Sequence, residues 1–233
     1  MKKLVPPTLV ALMLAALVAM PLPATNAQSA GFVSSVLTRM DRQKQSLRTL
    51  SADISMEKYN SQLRDSDKYY GTIRYIPAGG RAASFVRLDW QKPQQEILVV
   101  ANGVYILYRP RLKLYITGPT NSVHSGKDND VLALLNMSAA QLRSRFGDFQ
   151  DTREETIWGG VHTTHLKAVP KTAANYKYIE LWVDDSGLPV QTKMVEKNDD
   201  STTMRLSNVD KNSDIPASTF KLDLDSSVKR IKG

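Results

Sequence analysis

Ile97-Leu98-Val99-Val100-Ala101-Asn102-Gly103-Val104-Tyr105-Ile106-Leu107-Tyr108 is the stretch on which the fold turns. Two apolar runs flank an Asn-Gly pair, and both residues accept the positive φ that a two-residue hairpin turn demands. The stretch therefore predicts two adjacent antiparallel strands. A two-residue loop sets Val100 opposite Tyr105 and Leu98 opposite Leu107 on one face, with Val99 and Ile106 on the other. Both faces are then apolar. Such a pair must be covered twice, by core or helix on one side and by something else, a ligand among the candidates, on the other.

The period of two extends outward in both directions. Upstream, Ala52, Ile54 and Met56 alternate with Asp53, Ser55 and Glu57, residues 69–76 form a further run, and Val86, Leu88 and Trp90 alternate with Phe85, Arg87 and Asp89. Pro77-Ala78-Gly79-Gly80 reads as a turn, and Lys92-Pro93 ends the strand that follows it. Downstream, residues 111–117, 149–157, 161–169, 178–183, 190–196 and 202–209 read as strands. They are punctuated by Trp158-Gly159-Gly160, Asp184-Asp185-Ser186-Gly187 and Asn198-Asp199-Asp200.

Helices interrupt the pattern twice. Over residues 29–48, Phe32, Val36, Met40 and Leu47 recur at near-helical spacing with Ser29 as N-cap. Residues 131–137 form a short apolar helical segment, and Ser138 followed by Gln141 is a capping box opening a helix through Phe146. Residues 118–130 fit no period and read as a mobile polar loop. The fold class is α+β, mainly β, with about 10–11 strands in one domain.

The chain opens on Lys2 and Lys3, an apolar run from Leu9 to Met20 and a Pro-rich stretch closing on Thr25-Asn26-Ala27. This is the pattern of an export leader cleaved after Ala27, leaving one domain over residues 28–233. About twelve apolar residues fall short of the roughly 20 needed to span a bilayer. There is no cysteine, so neither a disulfide framework nor a lipid-modified cysteine is available. The formal net charge of +8 includes the two leader lysines. The remaining basic residues are scattered along alternating strands, which reads as a solvated face and not as a nucleic-acid surface.

Catalytic patterns are weak. His162 and His165 are three apart in a predicted strand and so point to opposite faces, and with His124 they read as surface histidines without a metal. No Gly-rich phosphate loop or Gly-x-Ser-x-Gly elbow occurs, and Ser226-Ser227-Val228-Lys229 lacks the companion motifs of a serine acylase. The paired acids Asp184-Asp185 and Asp199-Asp200 are accounted for by turn chemistry, and Glu154-Glu155 falls in a strand. Tyr69, Tyr70, Arg74, Tyr75 and Arg81 interleave as an oligonucleotide-binding strand would, a ligand that an exported protein rarely meets.

Four segments carry a resemblance across residues 50–224. They are Gly71-Thr72-Ile73-Arg74-Tyr75, Arg87-Leu88-Asp89-Trp90-Gln91-Lys92-Pro93, the hairpin from Glu96 to Pro110, and Ile215-Pro216-Ala217-Ser218-Thr219-Phe220-Lys221-Leu222. In this order they resemble the LolA-type outer-membrane lipoprotein carriers and the wider periplasmic lipid-carrier superfamily. The resemblance implies an unclosed, strongly curved antiparallel sheet, a half-barrel whose concave face is capped by helices over a cavity for acyl chains. It also implies a soluble periplasmic monomer that is no enzyme, needs no cofactor or metal, and shuttles lipoprotein or lipid from inner to outer membrane. An inner-membrane ABC-type releasing complex and an outer-membrane receptor would be its partners, with no nucleic acid.

A carrier is physically reasonable, since each exposed methylene of an acyl chain costs about 0.8 kcal/mol in water. Val86, Leu88, Trp90, Leu98, Val100, Tyr105 and Leu107 are the expected cavity wall, with Phe85, Val99 and Ile106 taking that place if the register slips by one. Met137 and Leu142 are the expected lid contacts. The family's latch arginine stands directly before a Pro, a position held here by Ile76, so Arg74 on the same strand face is the expected polar contact to lid or ligand. Two other readings compete: an envelope lipid- or glycan-sensing module without handover, and a hydrolase built on a buried carboxylate pair or an activated serine.

Overall fold

The computed structural model describes residues 25–79, 83–120 and 127–233. The expected leader as far as residue 24, Gly80 of the predicted turn together with Arg81, and residues 121–126 of the polar connection, His124 included, lie outside the described residues. Val33–Gly233 forms one compact unit.

The strands are β1 (Leu50–Asn60), β2 (Asp65–Ile76), β3 (Phe85–Lys92), β4 (Glu96–Ala101), β5 (Val104–Arg109), β6 (Leu114–Pro119), β7 (Phe146–Ile157), β8 (Val161–Pro170), β9 (Tyr176–Asp184), β10 (Pro189–Glu196), β11 (Ser201–Lys211) and β12 (Lys229–Lys232). They form a single sheet in the order β12-β6-β5-β4-β3-β2-β1-β11-β10-β9-β8-β7. Neighbours pair antiparallel except β12, which runs parallel to β6. The sheet is unclosed, ending at β12 on one side and β7 on the other. This is the expected class with one strand more, because β12 is four alternating-face residues that carry no apolar period.

The decisive hairpin forms as its residues dictate. Asn102 and Gly103 take φ of 52° and 77°, and Val100 faces Tyr105 while Leu98 faces Leu107. The pairing continues across the sheet, so Ile116, Leu107, Leu98, Leu88, Ile73 and Ala52 stand in one cross-strand row. Gly71 allows the close approach of β2 to β3 two residues from this row, since a Cβ there would collide with the Asp89 carbonyl. The strand expected from Arg111 starts three residues later. Pro110–Leu112 is a 3-10 turn, and Lys113 adopts a left-handed conformation with φ of 47° before β6 begins.

Residues 33–46 of α1 (Thr25–Ser46), with α2 (Lys127–Asn136) and α3 (Ala139–Arg145), cover the face that carries this row. Ser29 lies inside α1, not at its cap, because the helix begins at Thr25. Val36, Leu37 and Met40 of α1 pack with Ala139 and Leu142 of α3 onto Leu166, Leu181 and Val183. At the β9–β10 turn Gly187 holds φ of 92°, and a Cβ there would strike the Arg39 carbonyl, so the missing side chain lets the turn lie against α1. The predicted capping box is formed: the Ser138 side chain accepts from Gln141 N–H, and the Gln141 side chain accepts from Ser138 N–H.

The opposite, outer face of β3 and β4 is covered by the chain itself. A 3-10 turn over Ala217–Phe220 lies there, with the Phe220 ring 5.6 Å from that of Phe85 and the Thr219 carbonyl accepting from Arg87 Nη1 at 3.0 Å. Phe220 and Val99 are both buried. The second cover that the two-sided apolar hairpin requires is thus protein. No helix among the described residues is long and apolar enough to cross a membrane.

Candidate functional site: apolar voids beside helix α2

Helix α2 lies over the covered face with Val131 and Leu134 buried in the core. Its first turn is tethered by polar contacts. Trp90 Nε1 donates to Asp128 Oδ1 at 2.8 Å, Lys58 Nζ donates to Asp130 Oδ2 at 3.0 Å, and Lys127 pairs with Glu96, which also accepts from Arg109 Nε at 2.8 Å. The Lys127 ammonium stands 5.6 Å from the Tyr69 ring centroid and 5.9 Å from that of Trp90. Burial pushes the Asp128 carboxyl above the ordinary carboxylate range, opposed by the Trp90 hydrogen bond and the charge of Lys127. At the other end Lys44 Nζ donates to the Asn136 carbonyl at 3.0 Å.

The packing is incomplete toward the C-terminal half of α2. One void of about 50 Å³ lies between the ends of α1 and α2 and the strands, lined by Met40, Leu47, Leu50, Tyr75, Leu188 and Leu206. A second of about 100 Å³ lies over Ile179, Thr192, Met194 and Met204. Leu134 and Met137 line both, so two side chains partition the space. Each volume falls below that of small-molecule sites, roughly 300–1,000 Å³. Among the described residues no group of three or more His, Asp or Glu could hold a metal ion.

The expected wall residues share the helix-covered face. Val86, Leu88, Trp90, Leu98, Val100 and Tyr105 are all buried there, with Leu107 packed against them, yet they form the solid core beneath the first turns of α2 and line neither void. Their alternates Phe85, Val99 and Ile106 face outward. Met137 lines both voids, whereas Leu142 is wholly buried under α1. Arg74 needs correction: it lies on the outer face between Ile73 and Tyr75, 3.5 Å from Asp89 Oδ2, and meets neither α2 nor a void. The surface reading of His165 is also corrected, since its ring is buried against Trp182 with Nδ1 2.9 Å from the Asp151 carbonyl oxygen. His162 is exposed beside Asp185, on the other face as its spacing requires.

The void-lining Leu50, Leu134, Leu188, Leu206, Ile179 and Met194 were not singled out by the sequence. Each belongs to or borders a recognised strand, turn or helix, but only the pairing of β1 with β11 and the placement of α2 bring them together.

An unclosed antiparallel sheet with helices on one face and apolar space between defines a class of open-sheet proteins with an internal chamber. The family described as outer membrane lipoprotein carrier protein LolA matches residues 82–223, and the chain belongs to it. No curated protein matches the chain. Among solved structures, the chain is similar to a protein in the complex of Pseudomonas aeruginosa MucA and MucB, with a TM-score of 0.52 at 15% identity, covering 82% of this chain and 61% of that one. The chain thus spans about three fifths of that protein. An uncharacterized conserved protein from Thermus thermophilus gives 0.55 at 10% identity over 87% and 99% of the two chains. LprF from Mycobacterium bovis gives 0.52 at 11% identity over 80% and 95%.

Proposed function

We propose that the protein is an exported, non-catalytic carrier that takes acyl chains of a lipoprotein or lipid into the space beside α2 and moves them between the inner and outer membranes. The observation that carries this reading is the pair of apolar voids that share Leu134 and Met137 in their linings. Empty apolar space inside a fold forfeits packing energy, so a fold that keeps it has a use for it. The polar tether at the start of α2 fixes that end of the helix beside the space. Membership of a family named for lipoprotein carriage supports the cargo class, and the Lys2-Lys3 leader with its apolar run supports export to the periplasm. An ABC-type releasing complex and an outer-membrane receptor are the partners such a shuttle requires.

Uptake of a dansylated fatty acid by residues 28–233 tests this reading. Saturable fluorescence enhancement that Met137→Trp weakens is the expected result. Absence of uptake, together with protein that carries no lipid in native mass spectrometry after recovery from the periplasm, would overturn it.

A second reading, a lipid- or glycan-responsive binding module that hands nothing on, is favoured by the likeness to MucB, which was solved in complex with MucA. The discriminating observation is transfer of bound acyl probe to acceptor vesicles, which a carrier performs and a sensor does not.

A further inference from the structure

The basic residues are dispersed in the sequence, but the topology gathers five of them. β12 lies parallel to β6 with Lys229 beside Leu114 and Ile231 beside Ile116, fixed by hydrogen bonds from Lys229 N–H to the Lys113 carbonyl at 2.9 Å and from Gly233 N–H to that of Thr117 at 3.0 Å. This sets Arg111 and Lys113 of the β5–β6 turn next to Lys229, Arg230 and Lys232. All five are exposed, and none of their side chains has an ion-pair or hydrogen-bond partner among the described residues. Two neighbouring cations are paired: Arg109 with Glu96 and Arg87 with Asp89. The nearby Asp225 accepts from Ser227 N–H at 2.7 Å.

The tip of the same turn is apolar. Leu112 is 62% exposed between Arg111 and Lys113, and the turn is held by Lys113 N–H donating to the Pro110 carbonyl at 3.0 Å. Ile231 adds a second exposed aliphatic side chain among the cations. Unpaired cations around a protruding leucine match a membrane surface: the cations meet lipid phosphates while the leucine enters the acyl boundary. A nucleic acid would satisfy the charges but leave the leucine in water. We propose that this edge docks on an anionic phospholipid bilayer. Arg109 adjoins the turn and shares Glu96 with Lys127 of α2, so the docking point is linked through two ionic contacts to the helix beside the voids.

The use of such docking rests on the carrier reading, but the docking is measured on empty protein. Residues 28–233 would be sedimented with vesicles of phosphatidylcholine with and without phosphatidylglycerol, at low and high salt. Expected is partition onto the anionic vesicles alone, weakened by salt, and lowered roughly tenfold or more by Arg230→Ala with Lys232→Ala, since each surface cation contributes about fivefold. Leu112→Ser lowers it further without altering the salt dependence. Partition indifferent to lipid charge, or unchanged in both variants, would overturn the proposal, as would retention by duplex DNA with no vesicle binding. Wild-type protein needs no substitution for the salt and lipid comparison, so a misfolded variant cannot mask the answer. Loss of docking with fatty-acid uptake intact rejects this surface alone and leaves the carrier reading standing.

Discussion

Trp90 donates its indole N–H to Asp128 at 2.8 Å, joining the fully buried ring of β3 to the first turn of the helix beside the voids. Removing the acceptor strands a buried donor, which costs about 1–3 kcal/mol. Asp128→Ala is therefore expected to destabilise by that amount in urea unfolding, while Asp128→Asn keeps an acceptor and is spared that cost.

The same carboxyl carries a pH signature. Burial raises its pKa in the folded chain, so its contribution to stability is full while it is protonated and is lost as pH rises through that raised value. Asp128→Asn is expected to gain stability over wild type at neutral pH, and the gap should shrink as pH falls into the ordinary carboxylate range. Melting temperatures of the two proteins across that range check the sign.

Leu134 and Met137 stand between the two voids. Met137→Trp fills space on both sides and should weaken fatty-acid uptake with little loss of stability. Leu134→Ala joins the voids; it is expected to cost about 2–5 kcal/mol as a buried truncation, yet to raise the number of acyl probes bound per protein by titration. A variant that binds no more probe than wild type would argue that the partition does not limit capacity.

Phe220 is the cover of the outer face of β3. Phe220→Ala should cost about 3–5 kcal/mol in urea, whereas Phe220→Leu, which keeps most of the volume, should cost under about 1.5 kcal/mol. Loss of the same size from both would place the energy in the ring contact with Phe85 and not in the volume.

Gly187 meets α1 at φ of 92°. Gly187→Ala adds backbone strain and a collision with the Arg39 carbonyl, an expected loss of order 1–3 kcal/mol read by thermal unfolding.

The hairpin around Asn102-Gly103 was legible down to its register, because the turn fixes the pairing and the pairing fixes the faces. The strands around it and the capping box at Ser138 were legible for the same reason: their signals lie within a few residues. The outer cover was not, since Phe85 and Phe220 belong to distant parts of the chain. Nor were the voids, which lie where packing fails between α2 and strands from both halves of the sheet. Val86, Leu88 and Trp90 carried the stronger apolar pattern and became solid core, while Leu50, Leu188 and Leu206, unremarked in sequence, came to border the space. Arg74 followed its strand's alternation to the outer face, as the apolar Ile73 and Tyr75 on either side require.

A sheet that never closes leaves two borders at which backbone groups of a second molecule could add. At one, β12 presents only four residues, three of them cations, so an approaching strand meets like charge before it finds a ladder. At the other, the ladder of β7 with β8 slips between Phe146 and Asp148 and again between Gln150 and Arg153, where Asp151 takes a positive φ of 49°. Neither border is a straight template. The protein can therefore hold its sheet open around a chamber while resisting growth into a fibre, a hazard that a fully closed barrel never faces.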